Sequence, residues 1–405
     1  MTTMLCRKCC DEKDLTKYQT ACPDCDGPLY FDYDDDAYKA ERKGSSMWKY
    51  RSILPVAPEA KIVSLEEGGT PLVRARFEER AEVWIKNETR NPTGSHKDRS
   101  LSVGVTKALE LGMPAIVLYS DGSTALSAAA YAARAGIRCV ITFGRGASEQ
   151  RLLPLMVYGA RLLEYQGTPD EALAWVRESC EKLKLYEAST HRLANPYEAE
   201  APRTIGFEIM EQLGGVPDWI VCPTGGGGTL AGIFKAFGEL QSRGEIEKMP
   251  RMAAVVPQGY TALEAGLAKD VMKDKELRAL APKDVPSTIQ VKTALAYPPD
   301  GIEALRAIKW SDGAIVQVSD SEALAAQAKL GAKDGIYCEP SSAASVAGLV
   351  KLVEAGKIAK EEKAVAIVTG SGFRETATVV GRIPLEKISV DASSGLQALE
   401  KAAGR

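Results

Sequence analysis

The sequence predicts an α/β protein: two three-layer units built on parallel sheets, preceded by a small cysteine module. Three observations carry this. From residue 81 onward, short β-branched runs alternate with helical patterns. Glycine- and hydroxyl-rich loops follow several of those runs. Two Cys-x-x-Cys pairs stand apart at the N-terminus.

The 405-residue chain is long enough for two large units and a small one. Its net charge of −3 gives no support to a nucleic-acid or acidic-membrane partner. No apolar run approaches the ~20 residues a membrane helix needs. The N-terminus lacks the apolar region of a signal peptide, so the cytoplasm is the expected compartment. There the nine cysteines stay reduced, and a cysteine pattern points to metal or catalysis before disulfides.

Residues 1–35 hold Cys6 with Cys9 and Cys22 with Cys25, the pairs separated by twelve residues. Two such knuckles suit tetrahedral thiolate coordination of structural Zn²⁺, and Gly27-Pro28 with Tyr30-Phe31 read as the end of a zinc ribbon. The alternative is four unligated thiols. Metal would supply stability that so small a core cannot. Asp32 to Asp36 reads as a weakly ordered acidic stretch. Residues 36–85 form a connector and the first part of the larger unit, with a turn at 66–72 leading to a strand at 83–86.

A smaller α/β unit is expected over 86–190. Its strands are 115–119, 138–143 and 161–165, and its helices are 125–135, 148–158 and 170–184. The larger unit resumes over 191–385. It has helices at 204–213, 230–240, 320–331 and 341–354, and strands at 219–222, 252–256, 314–318 and 364–368. Residues 260–305 are polar, proline-containing and resist placement, and 386–405 form a peripheral tail.

Lys97 sits where the loop Asn87–His96 enters a helix with Leu101, Val105, Ala108 and Leu109 on one face. At such a junction a lysine is a surface residue, an anion binder or a nucleophilic amine. Gly225, Gly226, Gly227 and Gly228, followed by Thr229, lie between a strand and a helix. Glycines admit an anion close to the backbone, and the helix start adds partial positive charge, so a phosphate site is the natural reading over a bare turn. No Gly-Lys-Ser/Thr follows, which excludes a Walker loop, and the next strand ends without a ribose-binding acid. Thr369-Gly370-Ser371-Gly372 closes another strand; its hydroxyls either meet a ring nitrogen or cap a turn. His191 reads as a local loop residue.

These segments together resemble the tryptophan-synthase-β, or fold type II, pyridoxal-phosphate enzymes in their threonine synthase form. Asn91-Pro92-Thr93-Gly94-Ser95-His96-Lys97-Asp98-Arg99 is similar to the cofactor-lysine motif, and Pro223 to Gly232 to the phosphate loop. Glu339-Pro340-Ser341-Ser342, Thr369-Gly370-Ser371-Gly372-Phe373 and Asn195-Pro196-Tyr197 match further family segments. The resemblance implies two parallel-sheet domains, a homodimer, and pyridoxal 5′-phosphate held by Lys97 as a Schiff base. It implies that Gly225–Gly228 and Thr229 hold the cofactor phosphate, that Thr369 or Ser371 meets the pyridine nitrogen, and that Thr124 binds substrate.

Four positions depart from the family pattern. His96 stands for phenylalanine. Ser123 stands for the asparagine that contacts the cofactor's ring oxygen. Asp121 joins the substrate loop, as an acid/base group or as a helix cap, and Glu198 replaces an arginine. The resemblance implies a lyase converting O-phosphohomoserine and water to threonine and phosphate. Alternatives are β-elimination or β-replacement on another amino acid, such as diaminopropionate or serine, and a cofactor-binding protein with little catalysis.

Overall fold

The computed structural model describes residues 2–383 and 395–403. Part of the expected tail, 386–394 and 404–405, lies outside the described residues.

The larger sheet has six strands in the order Ala314–Val318, Arg251–Pro257, Trp219–Pro223, Lys363–Val368, Glu82–Asn87 and Leu72–Arg74. The first five are parallel and the last pairs antiparallel at the edge. Both faces are covered. Val83, Ile85, Val221, Val255, Ala366 and Val368 pack one way with Val346 and Leu349 of helix Pro340–Glu354. Ile220, Cys222, Ala254, Val365 and Ile367 pack the other way with Ile205, Phe207, Ile233 and Leu305. Two buried faces explain why these strands read as unbroken apolar runs.

The second sheet has four parallel strands: Arg161–Tyr165, Arg138–Gly144, Ala115–Tyr119 and Tyr186–Glu187. Ile116, Leu118 and Ile141 pack with Leu101 and Val105 of helix Lys97–Glu110 and with Ala125 and Ala129 of helix Ser123–Ala135. The latter helix starts two residues before its expected start and ends at Gly136, whose φ of 71° suits a residue without a Cβ. Residues 260–305 hold helices Ala262–Ala268 and Asp274–Ala279 and the start of Gly301–Trp310, with an irregular stretch between.

At the N-terminus, Thr2–Cys6, Glu12–Lys13 and Leu29–Tyr33 form an antiparallel sheet. The acidic stretch is ordered, contrary to expectation. Asp32 lies in the third strand, and the Asp34 side chain caps helix Asp35–Lys39 by accepting from the Ala37 amide at 3.0 Å. The four knuckle sulfurs lie within 4.8 Å of one another. The module is docked rather than tethered. Arg192 donates to the Leu29 carbonyl at 3.2 Å, Lys235 to the Phe31 carbonyl at 2.9 Å, and Tyr30 to Glu303 at 2.5 Å.

One buried ion cluster joins the elements around Lys97. Arg99 is fully buried and donates to Glu88 through Nε and NH2, at 2.8 Å each. It also donates to both Glu208 oxygens, at 2.7 and 2.8 Å, and to Thr204 at 2.9 Å. Lys86 donates to Glu208 at 2.6 Å and to the Thr70 carbonyl at 2.7 Å. These cations hold the Glu208 carboxyl down at about 2 despite its burial. Arg99→Leu strands two glutamates beside one lysine, and is expected to lower stability by about 3–5 kcal/mol, read by denaturant unfolding.

Candidate active site

Three loops leave the carboxyl ends of neighbouring strands Glu82–Asn87, Lys363–Val368 and Trp219–Pro223. Open α/β sheets bind ligands at that end.

The first loop delivers Lys97. Asn87 accepts from the Thr89 amide and caps a short turn, and Asn91 accepts from the Gly68 amide at 2.9 Å. Gly94 turns the chain with φ of 83°. Asp98 takes hydrogen bonds from the Thr93 amide at 2.7 Å, from the Thr93 hydroxyl at 2.6 Å and from Ser127 at 2.5 Å. Burial pushes the Asp98 carboxyl up to about 6 even so. The helix Lys97–Glu110 begins at the lysine itself. The Lys97 side-chain nitrogen donates to the Thr190 hydroxyl at 2.8 Å. Burial lowers its pKa against the pull of Asp300 and Glu198.

The loop after Lys363–Val368 is stitched to the first. Ser371 donates its amide to the Gly94 carbonyl at 2.8 Å, and His96 donates its amide to the Thr369 carbonyl at 3.0 Å. The His96 ring lies against the same carbonyl at 3.2 Å, and burial drops its pKa to about 3, so the ring is neutral. Thr369 and Ser342 hydroxyls pair at 2.8 Å.

The glycine loop has no room for a side chain at Gly225 or Gly227. A Cβ on Gly225 would lie 2.9 Å from the Thr293 Cα, and Gly227 has φ of 97° with the Asp300 carbonyl 2.8 Å from a Cβ position. Helix Gly228–Ser242 starts inside the glycine run, two residues earlier than the apolar pattern indicates. Its first N–H groups have no partner within the helix and are free to meet an anion. Asp300, buried beside Gly228, accepts from the Arg192 amide at 2.9 Å, and burial raises its carboxyl to about 6.

Lys97, Asp121, Ser123, Thr124, Gly225–Gly228, Thr229 and Thr369 all line one cleft of about 360 Å³. Ser371 is not part of that lining; its hydroxyl accepts from the Phe373 amide at 3.3 Å and caps the turn Gly372–Arg374. Asp121 does not cap the helix, whose N-cap is Gly122 without a side-chain bond; it pairs with Arg151 at 2.9 Å. Ser123 accepts from Arg374 at 3.1 Å. Glu198 lies outside the cleft lining, buried against Gly104 and accepting from Asn195 at 3.1 Å.

Several lining residues have no recognisable signal in the sequence. Thr190, Arg151, Lys292 and Asp300 belong to the cleft, as does His191, expected as a local loop residue. The His191 Nδ1 and Glu339 Oε2 atoms are buried in this lining without a partner among the described residues. Glu339 alone carries a signal, in the Glu-Pro-Ser-Ser segment.

A family model described as pyridoxal-phosphate dependent enzyme matches residues 63–370. The chain belongs to this family. Among curated relatives of this pyridoxal-phosphate-dependent enzyme, threonine synthase of Methanosarcina acetivorans is 37% identical over 391 residues, covering 94% of each chain. Threonine synthase of Methanocaldococcus jannaschii is 36% identical over 401 residues, 95% of this chain and 96% of the relative. Among solved structures, O-ureido-L-serine synthase matches with TM-score 0.63 at 24% identity, over 80% of this chain and 96% of that one. Threonine deaminase isoform 2 of Solanum lycopersicum also matches at TM-score 0.63, with 21% identity over 83% of each chain. Both share the fold, an α/β architecture of parallel-sheet layers consistent with fold type II enzymes.

The lowered Lys97 pKa gives a direct test. An amine-directed reagent applied to the cofactor-free protein at rising pH should modify Lys97 at a lower pH than exposed lysines, whose ordinary value is 10.5. Peptide mass mapping reads the order, and equal titration would contradict the burial argument.

Proposed function

We propose that this enzyme is a threonine synthase, converting O-phosphohomoserine and water to threonine and phosphate. The observation that carries the reading is the meeting of Lys97, the glycine loop and Thr369 in one cleft. Likeness to curated threonine synthases over nearly the whole chain supports it.

The lining fits pyridoxal phosphate. Gly225 and Gly227 leave no space for a side chain in the cup, and orphaned His191 and Glu339 atoms lie in the same wall. When bound, the cofactor supplies an electron sink for the substrate's α-carbon. Lys97, driven toward its neutral form by burial, would hold the cofactor aldehyde and would carry protons at the α- and β-carbons. Gly225–Gly228 and Thr229 hold the phosphate at a helix start. Thr369, backed by Ser342, would meet the ring nitrogen as a hydroxyl and would impose no charge on it. Ser123 would meet the ring oxygen, and Thr124 with neighbouring amides would take the substrate carboxylate. Glu198 lies outside the cleft lining, and burial pushes its carboxyl well up toward the neutral form, so it offers little opposition to a phosphorylated substrate.

Cofactor-loaded protein is expected to release phosphate from O-phosphohomoserine, and Lys97→Ala to lose both the cofactor's visible absorption and at least about a thousandfold in turnover. Asp121 in the cleft wall favours a second reading, elimination on another amino acid. Ammonia and a 2-oxo acid from diaminopropionate or serine, without phosphate release, would establish it.

The four clustered thiols suit tetrahedral Zn²⁺. Elemental analysis should find one zinc per chain, and Cys22→Ser should lose it and lower the melting temperature. The sheets support a division into a 1–35 zinc ribbon, an 86–190 domain carrying Lys97, and a larger domain from 36–85 and 191–385. A cytoplasmic homodimer completes the reading, testable by light scattering.

A further inference from the structure

A chain of alternating charges crosses the mouth of the cleft. Asp121 pairs with Arg151 NH1 at 2.9 Å, Arg151 NH2 with Glu375 at 2.8 Å, and Glu375 with the Lys292 ammonium at 2.7 Å. The four residues come from four segments. They are the loop after Ala115–Tyr119, helix Glu149–Val157, the irregular stretch before Gly301–Trp310, and the turn after Gly372–Arg374. Asp121, Arg151 and Lys292 line the cleft, while the Glu375 side chain is only 6% exposed.

The cations converge on the loop Ser120–Thr124. The Lys292 ammonium stands 2.9 Å from the point where a Cβ on Gly122 would be, and Arg374 donates to Ser123. Arg151 gives one arm of its guanidinium to each of two carboxylates, so neither receives the two-armed contact that a guanidinium favours. Glu375 is thus a single carboxylate shared by two cations at the rim of the cleft. A phosphate monoester carries about −1.5 to −2 charge and three acceptor oxygens, more than one carboxylate can offer the same two donors.

We propose that Arg151 and Lys292 form the seat for the distal phosphate of the amino-acid substrate, and that Glu375 occupies this seat until the phosphate displaces it. The inference rests on the reading of the cleft as the site of a phosphorylated amino acid. It makes Glu375 a specificity device. A substrate without a distal anion leaves the internal ion chain closed, whereas a phosphorylated one replaces the Glu375 carboxylate on Arg151 and Lys292 with a group of greater charge. The released carboxylate turns to solvent on the short turn that carries it. Glu339, pushed up by burial, adds little competing charge to the cleft wall.

The test uses cofactor-loaded protein, in which the glycine loop is already filled, and inorganic phosphate as the probe in calorimetric titration at constant ionic strength. Arg151→Gln and Lys292→Gln should each weaken phosphate binding by about tenfold or more, while Glu375→Gln should strengthen it severalfold. Lys292→Arg should restore binding to within about threefold of the parent. An unchanged visible spectrum in each variant certifies that the cleft is intact. Equal phosphate affinity in all variants would overturn the proposal. So would a Glu375→Gln protein that binds phosphate as weakly as Lys292→Gln, since that marks a structural strut. If the affinities follow the expected order but O-phosphohomoserine is not turned over, the seat stands and the threonine synthase reaction falls. If turnover occurs while phosphate binding ignores the substitutions, the reaction stands and the seat falls.

Discussion

The placement of Lys97 depends on Arg99. Two residues into the same helix, this guanidinium is gripped by Glu88 from the loop ahead and by Glu208 from helix Arg203–Leu213. Lys86, on the strand that feeds the loop, shares Glu208. A buried charge cluster of this kind contributes little net stability over apolar packing. Its value is geometric. Its donors and acceptors have few other partners in the interior, so strand, loop and two helices meet in one register. The loop between cannot drift while both of its ends are held. That fixes the lysine's helix start against the strand ends that carry the glycine and hydroxyl loops.

Around this anchor, electrostatics divides the buried groups by what surrounds them. Glu208 has two cations and stays ionised, with its carboxyl held at about 2. Lys97 and His96 are desolvated with weak opposing charge, so both shift toward neutrality. Asp300 and Asp98 rise to about 6 for the same reason, even with hydrogen-bond donors close by. Burial thus weakens the positive charge that Lys97 and His96 bring to the cleft, while a connected chain of formal charge stands beside it on Asp121, Arg151, Lys292 and Glu375. Burial moves the Lys97 amine toward the neutral form that carbonyl chemistry needs, and the neighbouring charge chain bears on which substrates enter.

Much of the fold is legible in the residues alone. Strands Ala115–Tyr119 and Ala314–Val318 begin and end where the apolar runs do, because strands buried between layers keep few polar residues inside them. The glycine loop and the lysine loop are legible because backbone geometry demands particular residues there. The stretch 260–305 is not. Its order comes from remote partners: the Asp300 amide donates to the Gly226 carbonyl at 2.8 Å, and the Lys292 amide to Ser341 at 3.0 Å. Charged pairs such as Asp121 with Arg151 leave no periodic trace either, so the cleft's floor can be read while its rim stays hidden. Ser371 shows the opposite error. Its loop lies where the sequence puts it, but which of two hydroxyls faces the cleft depends on a bridge to Gly94 that local sequence does not encode.

The docked N-terminal module has a consequence for how the chain is made. Its anchors are Arg192, Lys235 and Glu303, which lie 163, 204 and 273 residues downstream of the groups they hold. During synthesis the first strands emerge long before any of these partners exists. Their own sheet closes locally, but its seating waits until the segment carrying Glu303 has been translated. The residues of this module are thus among the last to reach their final place.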